Sequence, residues 1–197
     1  MDLPVRWSGI FNPKKFSMHF IVFDLEATCW QDDLFQKESE IIEIGAYKVD
    51  NYGEVLSAFQ SFVKPIIHPI LSSYCKHLTT IEQVQINKAP KFEVVIQKFQ
   101  NWVDLYGEPY QLCAWGKFDQ LLLQQDCHLH RLEADWLEDY IDVKKQYHNI
   151  RRLNKVEGMM KTLVKEGFEF EGTPHRAIDD AQNLLKIFIR HIDDWRF

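Results

Sequence analysis

The chain has 197 residues, 46% of them hydrophobic and 26% charged, with a formal net charge of −6. That size supports one domain with a well-buried core and leaves two full domains cramped. No apolar run approaches the ~20 residues that span a bilayer, so no membrane association is expected, and the acidic balance counts against a protein that coats nucleic acid indiscriminately.

Residues 1–17 are polar and irregular, with Pro4, Gly9, Pro13 and Lys14-Lys15, and are expected to form an N-terminal extension to a domain over 18–197. The run His19-Phe20-Ile21-Val22-Phe23-Asp24 predicts a central strand buried on both faces. Ile41 to Val49 predicts a second strand, with Asp50-Asn51-Tyr52-Gly53 as a turn and Val55 to Val63 as the returning third strand. From Phe92 to Leu105 the apolar residues fall at helical spacing: Phe92, Val95, Ile96, Phe99, Trp102 and Val103 share a face. Tyr110 to Trp115 predicts a fourth strand, Phe118 to Gln125 a helix, and Tyr140 to Val143 a short fifth strand. A helix is expected over Leu153 to Val164. Thr173 and Pro174 are placed to start a last helix that runs through Ile178, Ala181, Leu184, Leu185 and Phe188. The order predicts an α/β domain, a mixed sheet flanked by helices.

Three separated segments carry chemistry. Asp24 and Glu26 are two apart, so on a strand both point to one side at its end. Asp119 follows the fourth strand directly and reaches the same edge if that strand neighbours the first. His175 and Asp180 belong to the start of the last helix. Each segment alone has an ordinary reading: a surface Asp-x-Glu, a helix N-cap, a solvated helix start. Two features resist it. Asp24 ends an apolar strand and Asp180 sits among Ala177, Ile178, Ala181 and Leu184, and a carboxylate in such surroundings is costly without a partner. Carboxylates converging from several elements are what a two-metal phosphodiesterase site requires, with ions roughly 3.5–4 Å apart. Magnesium takes such oxygen ligands. A histidine with an intrinsic pKa near ~6.5 suits proton removal from an attacking water.

Other residues read two ways. Trp30 either stacks a base or is a lid or surface aromatic, while Trp115 is expected in the core. Arg151, Arg152, Lys155, Lys161 and Lys165, with Lys144 and Lys145, form either a local basic surface for a nucleic-acid backbone or an ordinary solvated face. Cys127, His128 and His130 are read as a helix end, since one such cluster cannot close a tetrahedral zinc site. The start of the chain lacks the basic-then-apolar order of a signal peptide. Cys29, Cys75, Cys113 and Cys127 form no Cys-x-x-Cys pair and are read as reduced thiols of a cytoplasmic protein.

In this order the segments resemble the motifs of the DEDDh 3′–5′ exonucleases: Asp24-x-Glu26, then Asp119, then His175-x-Ala177-x-x-Asp180. By spacing, Asp180 rather than Asp179 takes the motif position, which leaves Asp179 exposed or as a local hydrogen-bond partner. The likeness extends to the enhanced-RNA-interference branch, which includes the histone-mRNA 3′-end exonuclease. It is carried by Asp24-Leu25-Glu26-Ala27-Thr28-Cys29, Glu40-Ile41-Ile42-Glu43-Ile44-Gly45, Leu78-Thr79-Thr80-Ile81 and Phe170 to Asn183. Thr80 stands where that branch usually has glycine, and Phe118 where tryptophan is common. The resemblance implies a ribonuclease H-like fold with a mixed five-stranded sheet, and metal-dependent trimming of single-stranded nucleic-acid 3′ ends, RNA preferred, to 5′-monophosphates. It implies two Mg²⁺ or Mn²⁺ ions on Asp24, Glu26, Asp119 and Asp180, with His175 as general base. Leu25, Ala27, Trp30 and Phe118 would line the terminal nucleotide. DNA as substrate is the alternative, and a non-catalytic RNA-binding scaffold a more remote one.

Overall fold

In the computed structural model, residues 18–31 and 38–197 are described. The expected N-terminal extension, 1–17, lies outside the described residues. The strands are β1 (His19–Ala27), β2 (Ile41–Val49), β3 (Val55–Phe62), β4 (Tyr110–Ala114) and β5 (Tyr140–Asp142). They form one sheet in the order β3-β2-β1-β4-β5. β1 pairs antiparallel with β2 and parallel with β4; β2 and β3 are antiparallel, and β4 and β5 parallel. This is the mixed five-stranded sheet that the element order predicts.

β1 lies at the centre because it is apolar on both faces. Ile21, Phe23 and Leu25 enter one core with Phe92, Val95, Ile96, Phe99 and Val103 of α3 (Phe92–Val103) and with Leu122, Leu123 and Cys127 of α4 (Phe118–Leu129). The alternate residues Phe20 and Val22 enter a second core, on Leu184, Leu185, Ile187 and Phe188 of α7 (Ala177–Arg190). Full burial of each such side chain is worth roughly 1.5–3 kcal/mol, so either face alone would hold the strand in register.

Several boundaries depart from expectation. The first strand continues through Asp24 to Ala27, because the antiparallel ladder to β2 runs that far. Two short helices were not read from sequence, α1 (Ser73–Thr79) and α2 (Gln83–Lys88). Each is too short for helical periodicity to emerge, and α1 depends on Ser72 Oγ accepting from Cys75 N at 2.9 Å. The helix expected over 153–164 is confined to α6 (Met159–Lys165), and α5 (Val143–Ile150), which ends before that range, is a further helix that was not read. Arg152, at φ 48°, separates them. The N-cap expected at Thr173 is also corrected. α7 begins at Ala177, because Gly172 (φ 87°) and His175 (φ 61°) are both left-handed and the backbone cannot be helical through them. Thr173 instead donates its N–H to Asp179 Oδ2 at 2.8 Å, the second of the two readings given for Asp179. Thr80 closes α1 at φ 60°, ψ 10°. Its position requires the left-handed conformation that glycine takes freely.

Candidate active site

The site forms where β1 runs past the end of β4. The β1–β4 ladder ends at Val22 with Cys113, which leaves the β4 side of β1 unpaired beyond it. Asp119, the second residue of α4, fills this gap: its carboxylate accepts from the backbone N–H of Leu25 and from its own. Asp119 is only 6% exposed. Asp24 and Glu26 point to the α7 face of the sheet, where their register partners on β2 are Gly45 and Glu43.

Gly45 and Glu43 bring α7 in. A Cβ at Gly45 would lie 2.2 Å from Ile178 N and 2.3 Å from Ala177 C, so the helix start rests directly on the bare β2 backbone. Glu43 is fully buried and accepts from Arg176 Nε at 3.0 Å, from Arg176 Nη2 at 2.9 Å, from Ala177 N at 3.2 Å and from Gln60 Nε2 at 2.7 Å. These bonds satisfy the carboxylate and tie the first residues of α7 to β2. Asp180, in the first turn, then arrives over β1: Asp24, Glu26 and Asp180 each offer a carboxylate oxygen within 4.8 Å of the others. Asp180 Oδ2 is buried and has no hydrogen-bond partner among the described residues.

The electrostatics follow from crowding four acids in a dry cleft. Asp24 is held well above the ordinary carboxylate range, by burial and then by Asp119, Asp180 and Glu26. Burial, with Asp180 and Glu43 beside it, pushes Glu26 up to about 8. Asp119 is raised to about 7 by burial, against the lowering effect of its two backbone donors. Asp180 is raised to about 6 by burial, with His175 pulling the other way. Strongly perturbed carboxyls in one cleft mark a functional site more often than a structural one. Here the repulsion is relieved either by protons or by cations, and the orphaned Asp180 oxygen beside Asp24 and Glu26 matches the hard-oxygen donor set of a divalent ion.

His175 is exposed at its left-handed position, close enough to Asp180 to act on its charge. Phe118 is 61% exposed at the start of α4, next to Asp119. Trp30 is half-buried and meets His68 edge-on at 4.8 Å between ring centroids. The Leu25 side chain is 6% exposed and belongs to the core, so what it offers the site is backbone. Ala27 is half-buried, its carbonyl 3.6 Å from Cys75 Sγ. Trp115 packs against the second core and His130 ends α4, as expected. Part of the basic cluster is internally paired, Lys165 with Glu157 at 2.6 Å and Arg151 with Glu166 at 3.7 Å.

Glu43, Gly45 and Arg176 were missed as supports of the site. A signal existed for Glu43: a carboxylate inside Ile41-Ile42-Glu43-Ile44 calls for a buried partner as much as Asp24 does. Glu40 was missed too. It is 1% exposed and accepts from the N–H groups of Ile66, Ile67 and His68 at 2.6–3.0 Å, which holds the loop that carries His68 against Trp30.

Comparison with known proteins identifies the family and the fold. The exonuclease family model matches residues 21–188. The chain is 30% identical to mouse ERI1 exoribonuclease 2 over 203 residues, covering 92% of this chain and 29% of that protein. It is 29% identical to human 3′-5′ exoribonuclease 1 over 184 residues, covering 89% of this chain and 53% of that one. The chain therefore spans from under a third to about half of these curated relatives. Among solved structures, the nuclease domain of 3′hExo, a DEDDh family member bound to rAMP, superposes with a TM-score of 0.85 at 29% identity, over 91% of this chain and 94% of that one. The shared architecture is the ribonuclease H-like domain implied by the motifs. By the family match across most of its length, this chain belongs to the exonuclease family.

Proposed function

We propose that this chain is a metal-dependent 3′–5′ exoribonuclease that removes nucleotides from single-stranded RNA 3′ ends as 5′-monophosphates. The observation that carries it is the convergence of Asp24, Glu26 and Asp180 within 4.8 Å, with a buried oxygen on Asp180 that has no partner among the described residues, in a member of the exonuclease family. Asp24, Glu26, Asp119 and Asp180 would hold two Mg²⁺ or Mn²⁺ ions, which supply Lewis-acid activation of water and neutralise charge on the phosphate. His175 takes the proton from the attacking water; its exposure suits exchange of that proton with solvent. Asp119 keeps its orientation through the Leu25 N–H. The terminal nucleotide lies along Leu25-Glu26-Ala27, with the exposed Phe118 ring stacking a base, at ~1–3 kcal/mol per base, and the Trp30 ring, already edge-on to His68, bordering it.

RNA is favoured because both curated relatives are named exoribonucleases and the structural neighbour holds a ribonucleotide. A cytoplasmic setting is part of the proposal, supported by four free cysteines. No helix among the described residues is long and apolar enough to cross a membrane.

The test uses 5′-labelled single-stranded RNA with Mg²⁺ or Mn²⁺. Stepwise shortening from the 3′ end with nucleoside 5′-monophosphate as product is expected, and reversible loss in EDTA. Asp180→Asn should remove several kcal/mol of transition-state stabilisation, on the order of 10²–10³ in rate, while the far-ultraviolet circular dichroism is unchanged. Full activity of that variant would sink the site assignment. Equal or faster digestion of matched DNA would overturn the RNA preference.

A further inference from the structure

Cys29 follows β1 by two residues and Cys75 lies in the first turn of α1. They are 46 positions apart in sequence, yet a single hydroxyl joins their backbones: Ser72 Oγ donates to Cys29 O at 2.6 Å and accepts from Cys75 N at 2.9 Å. Their side chains meet as well. The Cys29 thiol hydrogen-bonds to the Cys75 sulfur, which itself lies 3.6 Å from Ala27 O. Cys29 packs against the small cluster of Ile42, Leu71, Cys75, Ile81 and Ile86. Neither thiol is used by the proposed hydrolysis, and the pair sits just behind the strand end that carries Glu26. A disulfide needs sulfurs in contact and Cα atoms about 4.4–6.8 Å apart, and two thiols packed in one cluster, with their backbones joined through one hydroxyl, are placed to reach that geometry. Cys113 and Cys127, by contrast, are buried in separate cores, one on each face of the sheet.

We propose that Cys29 and Cys75 are a redox-responsive dithiol: a peroxide converts them into an intrachain disulfide that clamps the end of β1 to α1 and slows the proposed nuclease, and a thiol reductant reopens it. Cys29 is half-buried and Cys75 fully buried, so peroxide reaches Cys29 first. The Cys29 sulfur, shedding its proton, attacks one oxygen of hydrogen peroxide. The O–O bond breaks, and the departing hydroxide leaves with the proton as water, so that Cys29 becomes a sulfenic acid. The Cys75 sulfur then attacks the Cys29 sulfur. The S–O bond breaks, and the hydroxide takes the Cys75 proton as a second water. Two thiols and one peroxide yield one disulfide and two waters. The contact between the thiols pushes the Cys75 thiol down to about 7 and the Cys29 thiol up, so exposure rather than acidity puts Cys29 first, and the Cys75 sulfur is the better nucleophile for closing the bridge. Such transient bridges are the kind that reducing compartments support.

The effect on hydrolysis rests on the proposed function; the disulfide does not, and the experiment separates them. The full chain, freed of reductant, is treated with hydrogen peroxide, alkylated under denaturing conditions and digested. The expected result is a Cys29–Cys75 cross-linked peptide and a fall in alkylatable thiols from four to two, both reversed by dithiothreitol and both absent in Cys29→Ser. No cross-link, or a sulfinic acid on Cys29 in its place, would overturn the dithiol. RNA cleavage by the oxidised protein should fall on the order of tenfold or more, since small displacements of a positioned site are that costly, and should return on reduction. Cys29→Ser should cleave at the reduced wild-type rate with or without peroxide. Cross-linking with no change in cleavage would overturn the regulatory role alone.

Discussion

Gly45 and Ile178 are in backbone contact so close that the glycine cannot carry a side chain: a Cβ would lie 2.2 Å from Ile178 N. Gly45 is also the register partner of Asp24. One missing methyl therefore lets the helix bearing Asp180 settle onto the strand bearing Asp24. Gly45→Ala should destabilise the protein by about 3 kcal/mol, the upper range for overpacking, and should lower cleavage on the order of 10²-fold through displacement of Asp180. Urea denaturation checks the first and single-turnover kinetics the second. Wild-type stability in Gly45→Ala would mean that α7 does not rest on β2 as described.

Arg176 shields a carboxylate with no solvent to fall back on. Glu43 is 0% exposed while its guanidinium partner is 20% exposed. Removing one member of a buried pair leaves the other charge uncompensated, at about 3–5 kcal/mol. Arg176→Met should fall near the lower end of that range, since Ala177 N–H and Gln60 still donate to Glu43. Thermal melts in low and high salt would measure it; a loss under about 1 kcal/mol would place the pair with exposed bridges.

The acidic cluster links stability to pH and to cations. Glu26 and Asp119 titrate near 8 and 7 in the folded chain, against 4.5 and 3.8 as ordinary groups. Between those limits the folded state holds more protons than the unfolded one, so stability falls as pH rises. With chelator present, the melting temperature should decline from about pH 5 to pH 8 through this contribution. A divalent ion replaces the protons. The increment from Mg²⁺ or Mn²⁺ should therefore grow over the same interval, reaching about 2.7 kcal/mol at a hundredfold excess over Kd. An increment independent of pH would show that the ion binds elsewhere.

Thr80 is a β-branched residue in a left-handed cap, a conformation in which such side chains are strained by ~1–3 kcal/mol. Thr80→Gly removes the strain and adds freedom to the unfolded chain, so a net gain of roughly 1 kcal/mol is expected. Chemical denaturation would detect it. A loss would mean that Thr80 makes contacts worth more than the strain.

How much was legible depended on element length and on which chemistry was local. β2 runs from Ile41 to Val49 as expected, and α3 starts at Phe92 as expected, because an apolar pattern over nine or twelve residues has few alternatives. α1 and α2 escaped notice because seven and six residues hold too little periodicity, and they depend on Ser72, Glu82 and Gln85 caps. α7 starts three residues later than its Thr-Pro signal, since the left-handed His175 displaces the cap.

By itself, the sequence determined the strand pattern, the doubly apolar β1 and the five residues of the candidate site with their spacing, because periodicity and motif spacing are properties of neighbouring positions. Only the tertiary structure decided that Asp24, Glu26 and Asp180 meet, with Asp119 buried beside them. Asp24, Asp119 and Asp180 come from three elements, and their approach depends on the end of the β1–β4 ladder, on the bare backbone at Gly45 and on the buried Glu43–Arg176 pair. Those are contacts between residues up to 134 positions apart, for which no local pattern exists. The same long-range packing sets Cys29 against Cys75 and raises the carboxylates, since proximity and exclusion of water arise only when the layers close.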